Sequence, residues 1–286
     1  MKLAIASAAA IAAALAAAGP VAAKDGPSAK IEHAVARVVV IVEDRADIGV
    51  EIEQGTSGLP AVQVRRRGND VLIDGGLHGG PFGNNSIRNC QSGPDDARQP
   101  GEGASVEVRR VGTVRLTDAP LIVIRTPRDV EVGTESGAVF GAVGRGAASI
   151  ELANGGCGDW TVANTDGVMS LSTMGSGDMR AGTSRRLEAN VMGSGSITAG
   201  ATGGLEANVM GSGDIDVVRV DGPVEANVMG SGDINIPGTV TSIEANIMGS
   251  GDINVAGATG AVSHSIMGSG RIVVAGEAMR RPRHGG

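Results

Sequence analysis

Residues 205–217 read Leu-Glu-Ala-Asn-Val-Met-Gly-Ser-Gly-Asp-Ile-Asp-Val, two alternating apolar and polar segments on either side of a Met-Gly-Ser-Gly turn. Alternation with a period of two is typical of β-strands, whose successive side chains point to opposite faces. The glycines and the β-branched residues of the segment disfavour a helix. The segment therefore predicts two short strands joined by a glycine turn.

This turn recurs along the second half of the chain with a spacing of 18 or 19 residues. A unit of this length cannot bury its own apolar side, whereas stacked units pair each backbone with the coils above and below at about 4.8 Å. We therefore predict an all-β fold, a single-stranded β-helix (β-solenoid) with about 18–19 residues per coil. An antiparallel sandwich or barrel of hairpins is the alternative, but its hairpins would occupy different environments and would not repeat one pattern. The six copies begin at Met174, Met192, Met210, Met229, Met248 and Met267.

Alignment of the repeats predicts which positions stack on one another. The isoleucines after the turn, such as Ile215 and Ile234, fall in an apolar interior column. Asparagines at equivalent positions are expected to form a ladder of side-chain amide hydrogen bonds along the axis. The residues predicted to have these structural roles are the turn glycines Gly193, Gly195, Gly211, Gly213, Gly230, Gly232, Gly249 and Gly251 and the ladder asparagines Asn190, Asn208, Asn227 and Asn246.

An acidic column follows the turn, at Asp214, Asp233 and Asp252. Like charges on coils about 4.8 Å apart repel, so this column requires either a cation or hydrogen bonds from turn amides. Oxygen ligands suit calcium, but calcium-binding solenoids place their aspartates in a nonapeptide pattern that this chain lacks. We interpret the aspartates as turn-capping carboxylates and keep a cation column as a speculative alternative.

The column of six methionines is expected to fill gaps at a corner of the coil, which is a common use of this flexible side chain. Copper(I) ligation by the thioethers is the alternative, because soft ligands select that ion. If the methionines are exposed, they form an apolar contact surface.

Four regions are predicted along the chain: a signal peptide at 1–23, an N-terminal β-rich cap at 24–130, solenoid repeats at 131–276 and a basic disordered tail at 277–286. The first has one charge, a short apolar run and small residues before Lys24, which is typical of a cleaved secretory signal and too short to span a membrane. We therefore expect a periplasmic or secreted protein.

The N-terminal region contains a glycine-rich segment at 75–104 that we predict to be a long flexible loop. Cys90 lies in this loop and Cys157 lies in the repeats. An oxidising compartment permits the two to form a disulfide, with two unpaired thiols as the alternative.

The composition argues against several functions. The chain has 31 acidic and 24 basic residues, which disfavours nucleic acid as a partner. Its four histidines have no ligand spacing, and no catalytic, metal-binding or cofactor-binding residues can be assigned. Paired aspartates such as Asp214 and Asp216 make polysaccharide cleavage the enzymatic alternative. One tryptophan in the whole chain leaves few aromatic platforms for a glycan.

The repeated Gly-Ser-Gly-Asp-Ile motif, at 211–215, 230–234 and 249–253, resembles the "putative auto-transporter adhesin, head GIN domain" family. The resemblance implies a β-helix in bacterial envelope proteins of largely unknown function and supplies no site residues. We therefore predict a secreted, non-enzymatic β-helix protein of the bacterial cell envelope, structural or adhesin-like, with an unknown envelope or extracellular partner. A glycan-binding or polysaccharide-cleaving β-helix that uses its acidic face is the alternative. No transmembrane segment and no cofactor are expected, and the oligomeric state is left open.

Overall fold

The computed structural model describes residues 26–78, 86–94 and 96–275. The predicted signal peptide at 1–23 and the basic tail at 277–286 lie outside the described residues. The described residues form strands, turns and one short 3-10 segment (Leu116–Asp118), and none of their helices is long and apolar enough to cross a membrane. The strands before residue 129 are β1 (Ala29–Glu32), β2 (Val35–Val42), β3 (Gly49–Glu53), β4 (Gln63–Arg67), β5 (Asp70–Asp74), β6 (Ile87–Gln91), β7 (Ser105–Val108), β8 (Gly112–Arg115) and β9 (Leu121–Thr126).

The rest of the chain forms a regular stack of coils. Its strands are β10 (Asp129–Val143), β11 (Ser149–Cys157), β12 (Trp160–Val162), β13 (Val168–Thr173), β14 (Met179–Ala181), β15 (Arg186–Val191), β16 (Ile197–Thr202), β17 (Leu205–Val209), β18 (Ile215–Val220), β19 (Pro223–Val228), β20 (Ile234–Val240), β21 (Ser242–Gly249), β22 (Ile253–Ala258), β23 (Val262–Gly268) and β24 (Ile272–Val274).

Each strand of a coil pairs in parallel with the equivalent strand of the next coil. Strand β17 pairs with β19, for example, and Asn208 lies opposite Asn227. The result is a parallel β-solenoid of about eight turns with about 19 residues per turn, which confirms the predicted fold class. The predicted interior column is also confirmed, because its side chains from β12 to β22 are fully buried: Trp160, Met179, Ile197, Ile215, Ile234 and Ile253.

The stack begins earlier than the predicted boundary at residue 131. Strands β1 and β2 pair in parallel with the first and second halves of β10, so they form a coil of their own. Strands β5 and β9 pair with the opposite edges of β1 and β2 and supply the two sides of the preceding coil. The repeat pattern did not extend to β1 and β2 because their corner has no Gly-Ser-Gly turn. His33 makes it instead, in the left-handed conformation with φ of 51°.

Two antiparallel strands close the N-terminal end of the stack. Strand β3 pairs with β9, and strand β4 pairs with β5, so the outermost parallel strands have no free edge along these registers. Arg125 of β9 forms ion pairs with Glu51 of β3 and with Glu43. The hydrogen bonds to these two carboxylates raise the pKa of the Arg125 guanidinium. A cap of this kind prevents edge-to-edge pairing with other molecules.

The prediction of a long flexible loop over 75–104 is wrong in part, because β6 lies within it. Strand β6 pairs with β7, and β7 pairs with β8, in a small antiparallel sheet beside the stack. Val106 and Val108 of this sheet are buried in a second apolar cluster with Phe140 of β10. The strand was missed because Ile-Arg-Asn-Cys-Gln has little apolar alternation and its pairing contains a bulge between Arg88 and Cys90.

Candidate functional site

One side of the solenoid carries three parallel columns of outward-facing side chains. On strands β15, β17, β19 and β21 the alanine and valine positions are buried, so the glutamate, asparagine and methionine positions that alternate with them point outward. We call this surface the Glu–Asn–Met face. It consists of Glu188, Glu206, Glu225, Glu244, Asn190, Asn208, Asn227, Asn246, Met192, Met210, Met229 and Met248.

The asparagine column is a continuous hydrogen-bonded ladder. The Nδ2 atom of Asn208 donates to Oδ1 of Asn190, Asn227 donates to Asn208, and Asn246 donates to Asn227, each over 3.0 Å. This is the arrangement predicted from the sequence. Each amide has a second N–H and a second lone pair, so the ladder retains hydrogen-bonding capacity toward a ligand.

A central member of this ladder should contribute more stability than an end member. Asn227 takes part in two of the ladder bonds and Asn190 in one. Replacing Asn227 with alanine is expected to lower the free energy of unfolding by about 2 kcal/mol, and Asn190→Ala by about 1 kcal/mol. Urea denaturation followed by circular dichroism measures both. Equal losses for the two variants would contradict a separate contribution of each ladder bond to stability.

The methionine column is exposed. The exposed fraction of these six side chains lies between 39% for Met192 and 67% for Met267. The prediction that they pack at a corner is therefore wrong. Four of the methionines follow a buried residue: Val191, Val209, Val228 and Ile247. The pleat of these strands therefore turns the thioether outward just before the glycine turn. Copper(I) ligation by this column stays the alternative drawn from the sequence.

Four of the methionines and the asparagine ladder together line an open groove that runs across successive coils from Asn190 to Met267. The methionines that line it are Met210, Met229, Met248 and Met267. One side of the groove is apolar and polarisable, and the other offers amide groups. The groove follows the stacking axis, so its chemistry repeats once per coil. A contiguous apolar stripe on a protein surface is a candidate contact surface.

The glutamate column borders the groove with negative charge. Arg186 forms ion pairs with Glu188 at 3.5 Å and with Glu206 at 3.2 Å. Glu225 and Glu244 lie further along the column, are exposed and face each other directly in the strand register. Like charges opposite one another on neighbouring strands are destabilising. The far end of the face therefore favours a cationic partner.

The acidic column predicted from the sequence accepts hydrogen bonds from the backbone. One carboxylate oxygen of each aspartate accepts the backbone N–H one coil further on: Asp214 from Asp233 at 2.8 Å, Asp233 from Asp252 at 2.7 Å and Asp252 from Arg271 at 2.8 Å. These bonds agree with turn-capping carboxylates. Calcium binding along the column stays the speculative alternative.

The same carboxylates are the candidate acid and base for polysaccharide cleavage. Oδ1 of Asp214 accepts the Asp233 N–H, and Oδ1 of Asp216 accepts the Asn235 side chain at 3.0 Å in a second, shorter ladder that continues to Asn254. Asp214 and Asp216 therefore accept the same kind of hydrogen bond as the equivalent residues of the next coil, Asp233 and Asn235.

The turn glycines also stack on one another. In the turn after β17 the N–H groups of Ser212 and Gly213 both donate to the carbonyl oxygen of Gly193, at 3.0 and 3.2 Å. The same pair of bonds recurs in the next turns, where Ser231 and Gly232 donate to Gly211. The glycines thus hold the backbone corner that carries the methionine column.

Cys90 of β6 and Cys157 of β11 form a disulfide, with their Cα atoms 6.3 Å apart. The bond links the small antiparallel sheet to the stack. It lies beside the second apolar cluster, against which both cysteines pack. The sequence had left paired and free thiols open.

A cluster of three potential ligand side chains was not predicted from the sequence. His33, Asp74 and His78 come together at the N-terminal end of the stack. The sequence shows no sign of this cluster, because His33 follows β1, whereas Asp74 and His78 lie at and after the end of β5 in the neighbouring coil. Only the parallel pairing of β1 with β5 brings them together.

No protein-family model matches the chain, and no curated protein matches it. Among solved structures, the chain is similar to a crystal structure from Bacteroides fragilis described as that of a "putative adhesin". The two share 16% identity over 87% of this chain and 93% of that chain, with a TM-score of 0.48. The resemblance to the GIN domain family stays a prediction.

Proposed function

We propose that this protein is a non-enzymatic binding scaffold of the bacterial cell envelope that docks another protein on its Glu–Asn–Met face. The observation that carries the proposal is the row of four methionines on this face, each between 39% and 54% exposed, on a hydrogen-bonded stack. Burying such side chains against a partner is favourable because apolar surface is removed from water. The asparagine ladder beside them holds successive coils at a fixed spacing before binding. Binding therefore requires little ordering of the backbone.

The chemistry of the face defines the partner. Methionine adapts its shape to apolar side chains and is enriched at protein interfaces. The glutamate column beside it requires basic residues at the rim of the partner. The partner is therefore a protein segment with apolar side chains flanked by lysine or arginine.

The non-enzymatic part of the proposal is supported by the uniformity of the stack. A catalytic pair needs a local arrangement that differs from its surroundings, whereas Asp214, Asp233 and Asp252 make the same backbone hydrogen bond in successive coils. The envelope location is supported by the disulfide between Cys90 and Cys157, since such bonds persist in oxidising compartments.

A fluorescent peptide of alternating lysine and leucine serves as the probe, and its anisotropy reports binding. We expect the triple variant Met210→Gln, Met229→Gln, Met248→Gln to bind it at least tenfold more weakly, because the apolar contribution is lost. The double variant Glu225→Gln, Glu244→Gln should also bind more weakly and should lose most of the salt dependence of binding.

The matched control replaces exposed apolar residues on another side of the solenoid. Val218→Gln with Val273→Gln removes side chains that are 63% and 39% exposed, outside the Glu–Asn–Met face. This variant should bind within twofold of the original protein. Equal binding by the methionine variant, or by a peptide with glutamate in place of lysine, would refute the proposed face.

A further inference from the structure

The corner that follows β1 stacks directly on the corner that follows β5. Glu32 lies opposite Asp74 in the parallel register of these strands. Beyond that pair, Gly75 N–H donates to the Glu32 carbonyl at 3.0 Å and Leu77 N–H donates to the His33 carbonyl at 3.1 Å. His33 in one coil is thus held against the segment that contains Asp74 and His78.

The side chains of these three residues converge. One potential ligand atom from each lies within 4.8 Å of those of the other two. Nδ1 of His78 is 3.3 Å from Oδ1 of Asp74, and the two imidazole rings have centroids 4.8 Å apart. Asp74 is only 4% exposed, and its Oδ1 atom also accepts the Gly76 N–H at 2.9 Å. The carboxylate is therefore oriented by the backbone before any ligand arrives.

His33 supplies a second, independent observation. Its Nδ1 atom is buried and has no hydrogen-bond partner within the part of the chain that the structure describes. Native proteins pair nearly all buried polar atoms, so such a nitrogen requires an explanation. Its backbone also lies in the left-handed region, with φ of 51°, which non-glycine residues adopt infrequently. Coordination of an ion through Nδ1 would give this nitrogen a partner.

We propose that His33, Asp74 and His78 bind a divalent transition-metal ion of the zinc class. Two imidazoles and one carboxylate suit Zn²⁺, whereas Ca²⁺ and Mg²⁺ prefer sets made entirely of oxygen. Bonds of about 2.0–2.2 Å to a tetrahedral ion place the ligand atoms about 3.3 Å apart. The His78–Asp74 pair already has this spacing. The three potential ligand atoms lie within 4.8 Å of one another, and the half-exposed His78 side chain has room to adjust toward an ion.

The charges around the site are compatible with a cation. Arg65 approaches the carboxylate from solvent, with Nη2 at 3.9 Å from Oδ2 of Asp74, and its side chain is 63% exposed. It approaches the oxygen that does not contact His78. The bound ion would tie the first two coils together beside the capping strand β4. This role is independent of the Glu–Asn–Met face, which lies on later coils.

Calorimetric titration of the purified, untagged protein with Zn²⁺ tests the proposal. We expect one ion per chain, no response to Ca²⁺ or Mg²⁺, and a melting temperature about 5 °C higher when Zn²⁺ exceeds its Kd about 100-fold. With Co²⁺ as the probe, tetrahedral absorption bands should appear. His78→Ala should weaken Zn²⁺ binding at least tenfold, while the exposed His264→Ala control should leave it within twofold.

Two further variants distinguish the loss of a metal ligand from misfolding as the cause of weaker Zn²⁺ binding. His33→Asn retains a residue that tolerates the left-handed conformation, and Asp74→Asn retains an oxygen for the Gly76 N–H. Both should fold as the original protein does and bind Zn²⁺ at least tenfold more weakly. Binding that His78→Ala leaves unchanged, or no binding by the original protein, would overturn the assignment. Several weak ions per chain, lost equally in His264→Ala, would have the same meaning.

Discussion

Replacing Gly213 with alanine is expected to lower the free energy of unfolding by at least about 3 kcal/mol, at the upper end of the cost of overpacking. A Cβ atom at this position would lie 1.9 Å from the carbonyl oxygen and 2.8 Å from the carbonyl carbon of Gly195. Both are backbone atoms of the neighbouring coil and cannot move without breaking the parallel ladder. Relief therefore requires the two coils to separate.

A control substitution in the same coil isolates this contact. Gly204 is also buried, but a Cβ atom there would lie 3.7 Å from its nearest neighbour, the carbonyl oxygen of Pro223. Gly204→Ala should change the unfolding free energy by less than about 1 kcal/mol, since no overpacking results. Urea denaturation followed by circular dichroism compares the two. Similar stability of Gly213→Ala and Gly204→Ala would show that the close approach of the turns is not what requires glycine.

The same contact explains why the motif repeats. At Gly193, Gly211 and Gly230 an added Cβ atom would lie 2.1 Å from the carbonyl oxygen of the equivalent glycine one coil earlier. Each turn therefore leaves space only for glycine at the equivalent position of the next turn. Identical environments produce identical residues, and for this reason the coil length, the interior column and the asparagine ladder could all be predicted from the sequence.

Features that interrupt the repetition were not predictable in this way. The coil formed by β1 and β2 has His33 at its corner in place of the glycine turn, so the sequence carries no sign that it belongs to the stack. Strand β6 lies in a glycine-rich segment, and its pairing depends on long-range contact with β7. The cluster of His33, Asp74 and His78 likewise depends on which coils are neighbours.

The candidate binding face was predictable in composition but not in exposure. The periodicity identified the methionine column and its place directly before the glycine turn. The expectation of corner packing rested on the flexibility of methionine. What decides the outcome is that Val209 and its equivalents already fill the interior at the end of each strand. No space remains inside for a second large side chain.

Removing the disulfide should have the second large effect on stability. The bond between Cys90 and Cys157 closes a loop with a sequence separation of 67 residues. Restricting the unfolded chain over a loop of this size contributes up to about 4 kcal/mol in the chain-entropy account. We expect the double variant Cys90→Ala, Cys157→Ala to unfold with a free energy about 2–4 kcal/mol lower than the original protein.

The loss should be concentrated in one part of the molecule. The small sheet of β6, β7 and β8 contacts the stack through the apolar cluster around Val106 and Phe140, and the disulfide is its covalent link to β11. Hydrogen exchange in the double variant should therefore accelerate at 105–115 and stay slow in β17 and β19. Reduction of the original protein with dithiothreitol should reproduce this pattern. Uniform acceleration across the stack would show instead that the bond stabilises the whole solenoid, and unchanged exchange would show that the apolar cluster alone holds the sheet in place.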